Sequence, residues 1–334
     1  MTPGTLIEVR HLSKTFVVRR GALFRHAVAS TKAVNDVSLD IKRGEILGCV
    51  GGSGSGKSTL GRMILRLIEP DSGEIHYDGT DLRALSHEEM REFRKRMQIV
   101  FQDPLQSLNP RRTVAENIER PLLNFGVTRA TARRRVEELL DLVGLDSGQS
   151  YRYPHEYSGG QCQRVAIARA LALEPEFLFL DEPVSALDVS IQAQILNLLA
   201  DLQKKLGLTF LFVSHDLKIV KQFCDRTIVM YRGNLLESGA SEAVYREPKH
   251  PFTRDFLRTV LHVHGDGSWE QAAERAEDLE GLAAPSGACC AYAGNCAECF
   301  DDCRNAPPPL FDIGDGRDVA CFLYRGKTAE PRRP

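Results

Sequence analysis

Short apolar runs alternate with longer segments that carry apolar residues at helical spacing along most of the chain. The predicted strands are 45–50, 98–101, 177–180, 208–213 and 227–231. A predicted helix begins at Ser58, others cover 161–173 and 189–206, and the segment 114–145 is helical in character. Because strands that are apolar throughout are buried on both faces, this alternation predicts an α/β fold with a parallel sheet between helices.

The N-terminal part follows a different pattern. Segments 6–18 and 34–41 have β-type sequence, and residues 74–79 read as a further strand that ends in an Asp-Gly turn. These segments predict an antiparallel β subdomain. The basic segment 19–32 between the first two strands is predicted to be a solvated connection, with contact to a lipid headgroup or a partner as the alternative.

Changes in composition predict the domain boundaries. We expect one large domain over 1–255, and polar, proline-bearing stretches mark residues 108–160 within it as an inserted helical subdomain. The acidic stretch 269–280 lies in a predicted linker over 256–285. Residues 286–334 are predicted to form a small cysteine-rich extension.

Length and charge limit the classes of partner. With 334 residues, of which 43% are hydrophobic, the chain is long enough for a large α/β domain with an appendage. A net charge of −2 provides no overall positive field for nucleic acid, so we expect no nucleic-acid partner. There is no signal-peptide pattern and no apolar run near the roughly 18 residues that a membrane span needs. We therefore expect a cytosolic chain that reaches a membrane only by docking.

A glycine-rich segment joins the strand 45–50 to the helix that begins at Ser58. Glycine lets successive backbone N–H groups surround an anion, and the helix N-terminus adds its positive end. We expect Lys57 to contact the β- and γ-phosphates of a nucleoside triphosphate, Ser58 to bind Mg²⁺ and Thr59 to donate to an inner phosphate. The predicted phosphate-binding residues are Gly51, Gly52, Ser53, Gly54, Ser55, Gly56, Lys57, Ser58 and Thr59.

Two carboxylates follow the apolar strand 177–180, at the edge where ligands of parallel sheets bind. We expect Asp181 to hold Mg²⁺ through water. Glu182 is predicted to orient and deprotonate the attacking water. The carboxylate pair therefore predicts nucleotide hydrolysis.

The ordered motifs 51–58, Gln102, 157–161, 181–182, 185–188 and His215 resemble those of ATP-binding-cassette (ABC) transporter ATPases over roughly residues 5–255. The resemblance implies a P-loop cassette with a mixed sheet core, an antiparallel β subdomain and an inserted helical subdomain, with ATP and Mg²⁺ as cofactors. It also implies contact with the ATP of a second subunit through the signature segment, which here starts with Tyr157 instead of the usual Leu. By this resemblance, Phe16 contacts the adenine, with a core role as the alternative, Gln102 contacts Mg²⁺ and the attacking water, and His215 contacts the γ-phosphate. Ser158, Gly159, Gly160 and Gln161 contact the partner's ATP, and Asp188 also belongs to the nucleotide-binding residues.

Further motifs resemble the dipeptide/oligopeptide (and nickel) importer branch, especially its second ATPase subunit. They are 98–104, 107–111, 183–190 and 250–253. The resemblance implies two transmembrane permease subunits, a second related ATPase subunit, an extracytoplasmic substrate-binding protein and a peripheral position at the cytoplasmic face of the inner membrane. A homodimer is the alternative to the pair of different ATPases.

Other functions stay open at this point. They are import of nickel or another small solute, a soluble ABC ATPase of DNA repair or translation, and a metal-sensing regulator. The soluble relatives carry tandem cassettes or long coiled coils, whereas this chain shows neither an internal repeat nor sustained heptads.

Six of the nine cysteines fall within 33 residues, which in a cytosolic chain favours metal ligation over disulfides. Cys290, Cys296, Cys303 and Cys321 have five, six and seventeen residues between them, wider than the paired loops of most zinc sites. We expect them to hold a [4Fe–4S] cluster, with zinc or free cysteines as alternatives. Cys289 is an alternative to Cys290, and Cys299 to Cys296 or Cys303.

Overall fold

A computed structural model describes residues 4–20, 27–261 and 289–326. The strands of these ranges are β1 (Thr5–Arg20), β2 (Ala27–Lys42), β3 (Ile46–Val50), β4 (Ser72–Tyr77), β5 (Thr80–Asp81), β6 (Met97–Val100), β7 (Phe177–Asp181), β8 (Thr209–Val213), β9 (Arg226–Tyr231), β10 (Asn234–Ala240), β11 (Phe311–Asp312) and β12 (Asp318–Val319).

The α-helices of the same ranges are α1 (Lys57–Ile64), α2 (His87–Phe93), α3 (Pro104–Ser107), α4 (Val114–Asn124), α5 (Arg129–Leu142), α6 (Gly159–Leu171), α7 (Val189–Leu206), α8 (Leu217–Phe223), α9 (Ser241–Arg246), α10 (Pro251–Leu261) and α11 (Asp301–Asn305). Among these described helices, none has both the length and the apolar character that crossing a bilayer requires.

The chain divides into two compact units. The first unit contains Met1–Ile41, Leu47–Arg83 and Ser214–Pro334, and the second contains Lys42–Ile46 and Ala84–Val213. The glycine-rich segment, His215 and the cysteine-bearing tail therefore belong to the first unit. Gln102, the signature segment and the carboxylate pair belong to the second.

The first unit contains antiparallel and mixed β-structure. Strands β2, β1, β4 and β5 form one sheet in that order, in which Val9 of β1 pairs with Ile75 of β4. The turn after β4 has left-handed backbone angles at Asp78 (φ +50°) and Gly79 (φ +79°), as two-residue hairpin turns require. Strands β11, β12, β10, β9 and β3 lie side by side in that order, and only the β3–β9 pair is parallel.

The second unit contains parallel strands and a group of helices. Strand β7 lies between β6 and β8, is parallel to both, and is buried along its whole length. Helices α4, α5 and α6 pack against one another. Gly126, with φ +81°, ends α4, so the segment predicted to be helical over 114–145 contains two helices.

The predicted fold class is confirmed. The predicted core strands agree with β3, β6, β7, β8 and β9 to within one residue at each end, because each is a continuous apolar run. The connection predicted over 19–32 is too long, since β1 continues to Arg20 and β2 begins at Ala27. Helix α10 crosses the predicted boundary at residue 255, most of the predicted linker lies outside the described residues, and the domain boundaries stay predictions.

The tail attaches to the first unit at strand β10. Val319 of β12 pairs with Glu237 of β10, and Ala320 donates to the carbonyl oxygen of Leu236 at 2.8 Å. Glu237 is fully buried, and its carboxylate accepts hydrogen bonds from Arg317 Nη2 (2.7 Å) and from the backbone N–H groups of Lys249 and His250 (2.9 Å each). These bonds satisfy a buried charge that would otherwise be costly.

We predict that Arg317→Met lowers the free energy of unfolding by about 3–5 kcal/mol, because it leaves Glu237 buried without its cation. Urea denaturation followed by circular dichroism measures the change. Arg325→Met is the matched control: its ion pair with Asp302 (2.6 Å) is half exposed and should contribute about 0–1 kcal/mol. Equal losses in the two variants would contradict a special role for Arg317, and Glu237→Gln added to Arg317→Met should recover part of the loss.

Candidate functional site

The glycine-rich loop between β3 and α1 is tightly constrained by backbone on both sides. Gly51 has φ +155°, and a Cβ there would lie 2.2 Å from the carbonyl oxygen of Met230. Gly56 has φ +99°, and its Cβ would lie 2.0 Å from the carbonyl oxygen of Ala33. Both positions therefore require glycine for conformation and for space.

Lys57 is buried at the centre of this loop. Its ammonium group donates to the carbonyl oxygens of Gly51 (2.8 Å) and Gly52 (2.5 Å) and to Ser55 Oγ (3.2 Å). The loop thus surrounds a cation with oxygen acceptors at the N-terminus of α1. Phosphate oxygens are acceptors of the same kind, so the loop has the chemistry of an anion site.

The turn between β9 and β10 contacts the glycine-rich loop through backbone hydrogen bonds. Gly233 donates its N–H to the carbonyl oxygen of Ser55 at 2.9 Å and accepts from Asn35 N–H at 2.8 Å. Both bonds use backbone groups, which makes the position of the loop independent of the side chains at the turn. The loop is therefore held in place by its surroundings.

Two further predicted residues of the first unit are exposed. Ser214 donates its N–H to the carbonyl oxygen of Cys49 at 3.3 Å, which places the neighbouring His215 beside the strand that enters the loop. Phe16 leaves 39% of its surface exposed, which favours the adenine role over the alternative of a core role. An exposed ring is available to stack on a base, which is the role that the resemblance assigns to Phe16.

The carboxylate pair and Gln102 come together in the second unit. Asp181 is buried at the end of β7, and Glu182 follows with φ +50°, a left-handed conformation that is uncommon for glutamate. Gln102 Nε2 donates to Glu182 Oε2 at 3.2 Å. This hydrogen bond holds the Glu182 carboxylate beside the Gln102 side chain.

The signature residues form the N-terminus of α6. Ser158 Oγ accepts from Gln161 N–H (3.3 Å), and Gln161 Oε1 accepts from Ser158 N–H (2.9 Å), a reciprocal capping box. Ser158 and Gly159 are exposed, whereas Gly160 is buried and a Cβ there would lie 2.5 Å from Ile191 Cγ2. The start of α6 therefore packs against Ile191 through Gly160 and is exposed to solvent at Ser158 and Gly159.

Two other predicted residues of the second unit are Tyr157 and Asp188. The hydroxyl of Tyr157 donates to the carbonyl oxygen of Gln149 at 2.8 Å, a bond that the usual leucine could not make. Asp188 is exposed at the residue before α7, and its side chain makes no capping hydrogen bond to that helix.

The four cysteines predicted as ligands line one cavity in the first unit, together with His250 and Tyr292. Cys289 and Cys299 are not among its lining residues. Across residues 4–20, 27–261 and 289–326, no three His, Cys, Asp or Glu side chains stand at metal-ligand spacing, and the nine cysteines form no disulfide.

Burial controls the chemistry of these thiols. It raises the pKa of Cys290 and of Cys321 to about 11, and it raises the pKa of Cys296 as well. These thiols therefore hold their protons at neutral pH. A metal centre bound here would release protons, because the thiolate is the ligand.

Sequence reasoning missed the contribution of the segment after β10. His250 belongs to the motif 250–253, in which only Pro251, at the first position of α10, is a recognised signal for a helix start. Glu237 and Arg317 are 80 residues apart, and no local pattern indicates that they pair.

Comparisons with known proteins agree with this geometry. A family model described as "ABC transporter" matches residues 34–185. A "putative peptide import ATP-binding protein" of Brucella ovis is 46% identical over 96% of this chain and 99% of its own length. The oligopeptide transport ATP-binding protein AppF of Bacillus subtilis is 44% identical over 96% of this chain and 98% of its own length.

Two solved structures that resemble this chain are an ABC transporter component and an ATP-binding cassette. The cbiO1 protein of Clostridium perfringens, part of the ABC transporter complex cbiONQ, has a TM-score of 0.64 at 29% identity, covering 82% of this chain and 99% of its own. A dimeric ATP-binding cassette in a post-hydrolysis state with ADP and phosphate has a TM-score of 0.62 at 32% identity, covering 71% of this chain and 99% of its own.

Proposed function

The chain belongs to the family of ABC transporter ATP-binding proteins, and on that premise we propose that it is the ATP-hydrolysing subunit of an importer for dipeptides or oligopeptides. The observation that carries the proposal is a similarity over 96% of the chain, tail included, to a relative named as a peptide import protein. Import of nickel or another small solute by the same machinery is the alternative. The similarity along the whole length speaks against a soluble ABC ATPase outside transport.

The residues of the site have separate roles in the proposed hydrolysis. The glycine-rich loop and Lys57 would hold the phosphates of ATP, and Ser58 and Asp181 would hold Mg²⁺. Glu182 accepts a proton from the attacking water, and Gln102, which already donates to Glu182, holds that carboxylate in orientation. Mg²⁺ supplies charge neutralisation at the phosphates when it is bound.

Replacing the proposed base separates hydrolysis from binding. We predict that Glu182→Gln lowers ATP turnover of the assembled transporter by at least about 10²-fold while ATP still binds, because a general base contributes about that much. Lys57→Ala is the contrasting variant, since it should weaken nucleotide binding itself. Turnover by phosphate release and affinity for a fluorescent ATP analogue measure the two effects. Normal turnover in Glu182→Gln would remove Glu182 from this role.

The exposed start of α6 supports a two-subunit site. Ser158 and Gly159 present the helix N-terminus to solvent, where backbone N–H groups and the helix dipole attract an anion. We propose that these residues, with Gly160 and Gln161, contact ATP bound to a second ATPase subunit, and that this subunit is a different, related chain. The alternative is a homodimer.

The identity of the second subunit has a direct test. We predict that the transporter purified by a tag on this chain contains one copy of it and one copy of another ABC ATPase, together with two permease subunits. Native mass spectrometry measures the composition. Two copies of this chain and no second ATPase would refute the heterodimer and support the homodimer.

Exposed apolar side chains support docking to permeases. Leu105, Tyr151 and Tyr153 of the second unit leave 50%, 68% and 42% of their surfaces exposed, and such surfaces commonly mark contact sites between proteins. We propose that permeases cover these side chains and hold the chain at the cytoplasmic face of the inner membrane. An extracytoplasmic binding protein would deliver the solute to those permeases.

The cysteine cavity supports a metal centre in the tail. Cys290, Cys296, Cys303 and Cys321 are the four cysteines of the tail that line it, and the neighbouring Cys289 and Cys299 do not. We propose that these four hold a [4Fe–4S] cluster. Four thiols around one cavity provide the ligand set that a [4Fe–4S] cluster requires. Zinc is the alternative.

We predict that anaerobically purified protein contains about four iron and four sulfide per chain and that Cys303→Ser loses most of both. Cys299→Ser is the matched control, since it removes a nearby cysteine that does not line the cavity. Iron, sulfide and zinc analysis with a visible spectrum measures the result. About one zinc per chain without sulfide would overturn the cluster, and the absence of any metal would overturn both versions.

A further inference from the structure

His250 lies at the four-cysteine cavity and takes no part in the proposed nucleotide chemistry. Its side chain is 1% exposed, and its ring lines the cavity together with Cys290, Cys296, Cys303 and Cys321. A buried histidine needs a partner for each ring nitrogen. The partners of the two nitrogens therefore show what the ring can do.

The hydrogen bond to one nitrogen fixes the tautomer. Phe252 donates its backbone N–H to His250 Nδ1 at 3.0 Å, so Nδ1 is an acceptor and carries no proton. An imidazole whose Nδ1 is unprotonated is neutral. The one proton of the neutral ring therefore sits on Nε2, which can donate a hydrogen bond but cannot ligate a metal.

The Nε2–H donor is buried, and Nε2 has no hydrogen-bond partner within the described part of the chain. The backbone of Ala320 lies close to the ring, but its carbonyl oxygen falls outside the distance and angle limits of a hydrogen bond from Nε2. The ring of Tyr292 lies 6.2 Å away between centroids, and an aromatic face is a weak acceptor. Neither group satisfies the donor.

The acceptors that remain are the sulfurs of the cavity. Ala320 directly precedes Cys321, and Cys321 lines the same cavity as His250, so the segment that contains Cys321 lies beside the imidazole. The thiolate and sulfide sulfurs of an iron–sulfur centre accept hydrogen bonds from N–H groups, and such bonds stabilise the reduced, more negative form.

We propose that His250 Nε2–H donates a hydrogen bond to a sulfur of the four-cysteine centre on the side of Cys321. The inference rests on the proposed [4Fe–4S] cluster. His250 is a positioning residue with two functions: Nδ1 caps the start of α10, and Nε2 sets the reduction potential of the centre. The ring thereby connects the tail to the helix that follows β10.

Two substitutions separate these functions. His250→Asn keeps an acceptor near the position of Nδ1 for the Phe252 N–H but has no donor near Nε2. His250→Gln places an amide N–H near the position of Nε2. Both change the size of the ring site, so a general packing effect should appear in both variants.

The measurement is the midpoint potential of the centre in the full-length protein, from an anaerobic dithionite titration followed by the visible spectrum. We expect His250→Asn to retain iron and sulfide and to have a more negative potential. The expected change is about tenfold in the equilibrium constant for one-electron reduction, or about 59 mV. His250→Gln should restore most of this difference.

Other outcomes identify which proposal fails. Wild-type protein without iron and sulfide overturns both the cluster and the role of His250. A cluster with the wild-type potential in His250→Asn, or with equal shifts in both variants, overturns only the role of His250.

If both variants lose the cluster or fail to fold, the wild-type protein decides. Pulsed electron paramagnetic resonance of reduced protein labelled with ¹⁵N-histidine should show coupling between the cluster and a ring nitrogen. Absence of that coupling would overturn the proposal.

Discussion

The hydrogen bond from Gly233 N–H to the Ser55 carbonyl oxygen links two parts of the first unit on which the proposed function depends. On one side of the β9–β10 turn, the backbone of Met230 confines the glycine-rich loop so closely that Gly51 accepts no side chain. On the other side, the same hairpin continues into β10, where Glu237 holds the tail. One hairpin therefore positions both the phosphate loop and the cysteine cavity.

Two kinds of contact attach the tail: buried polar contacts at Glu237 and aromatic contacts at Tyr292. Glu237 is satisfied by Arg317 and by two backbone N–H groups, so separating the tail would leave a buried charge unpaired. Tyr292 of the tail packs edge-on against Tyr231 of β9, with 5.6 Å between ring centroids, and donates to Asp255 at 2.8 Å. The tail is consequently part of the first unit and not an independent appendage.

Local patterns predicted the elements and motifs well, because burial on both faces makes strands such as β7 continuously apolar and because phosphate chemistry requires glycines at fixed positions. The four cysteines were predicted from clustering and spacing, and they line one cavity. The pairing of Glu237 with Arg317 and the role of His250 could not be predicted, since both depend on contacts between residues distant in sequence. The left-handed backbone at Glu182 is likewise a property of the folded turn and not of its residue type.

The central claim is that this chain converts ATP hydrolysis into peptide import, and the most direct test is ATP turnover in proteoliposomes that contain the assembled transporter. The measurement compares phosphate release with the binding protein empty, loaded with peptide, or supplied with Ni²⁺. Our account predicts that peptide-loaded binding protein stimulates hydrolysis and that Ni²⁺ does not. Stimulation by Ni²⁺ without any response to dipeptides or oligopeptides would contradict it.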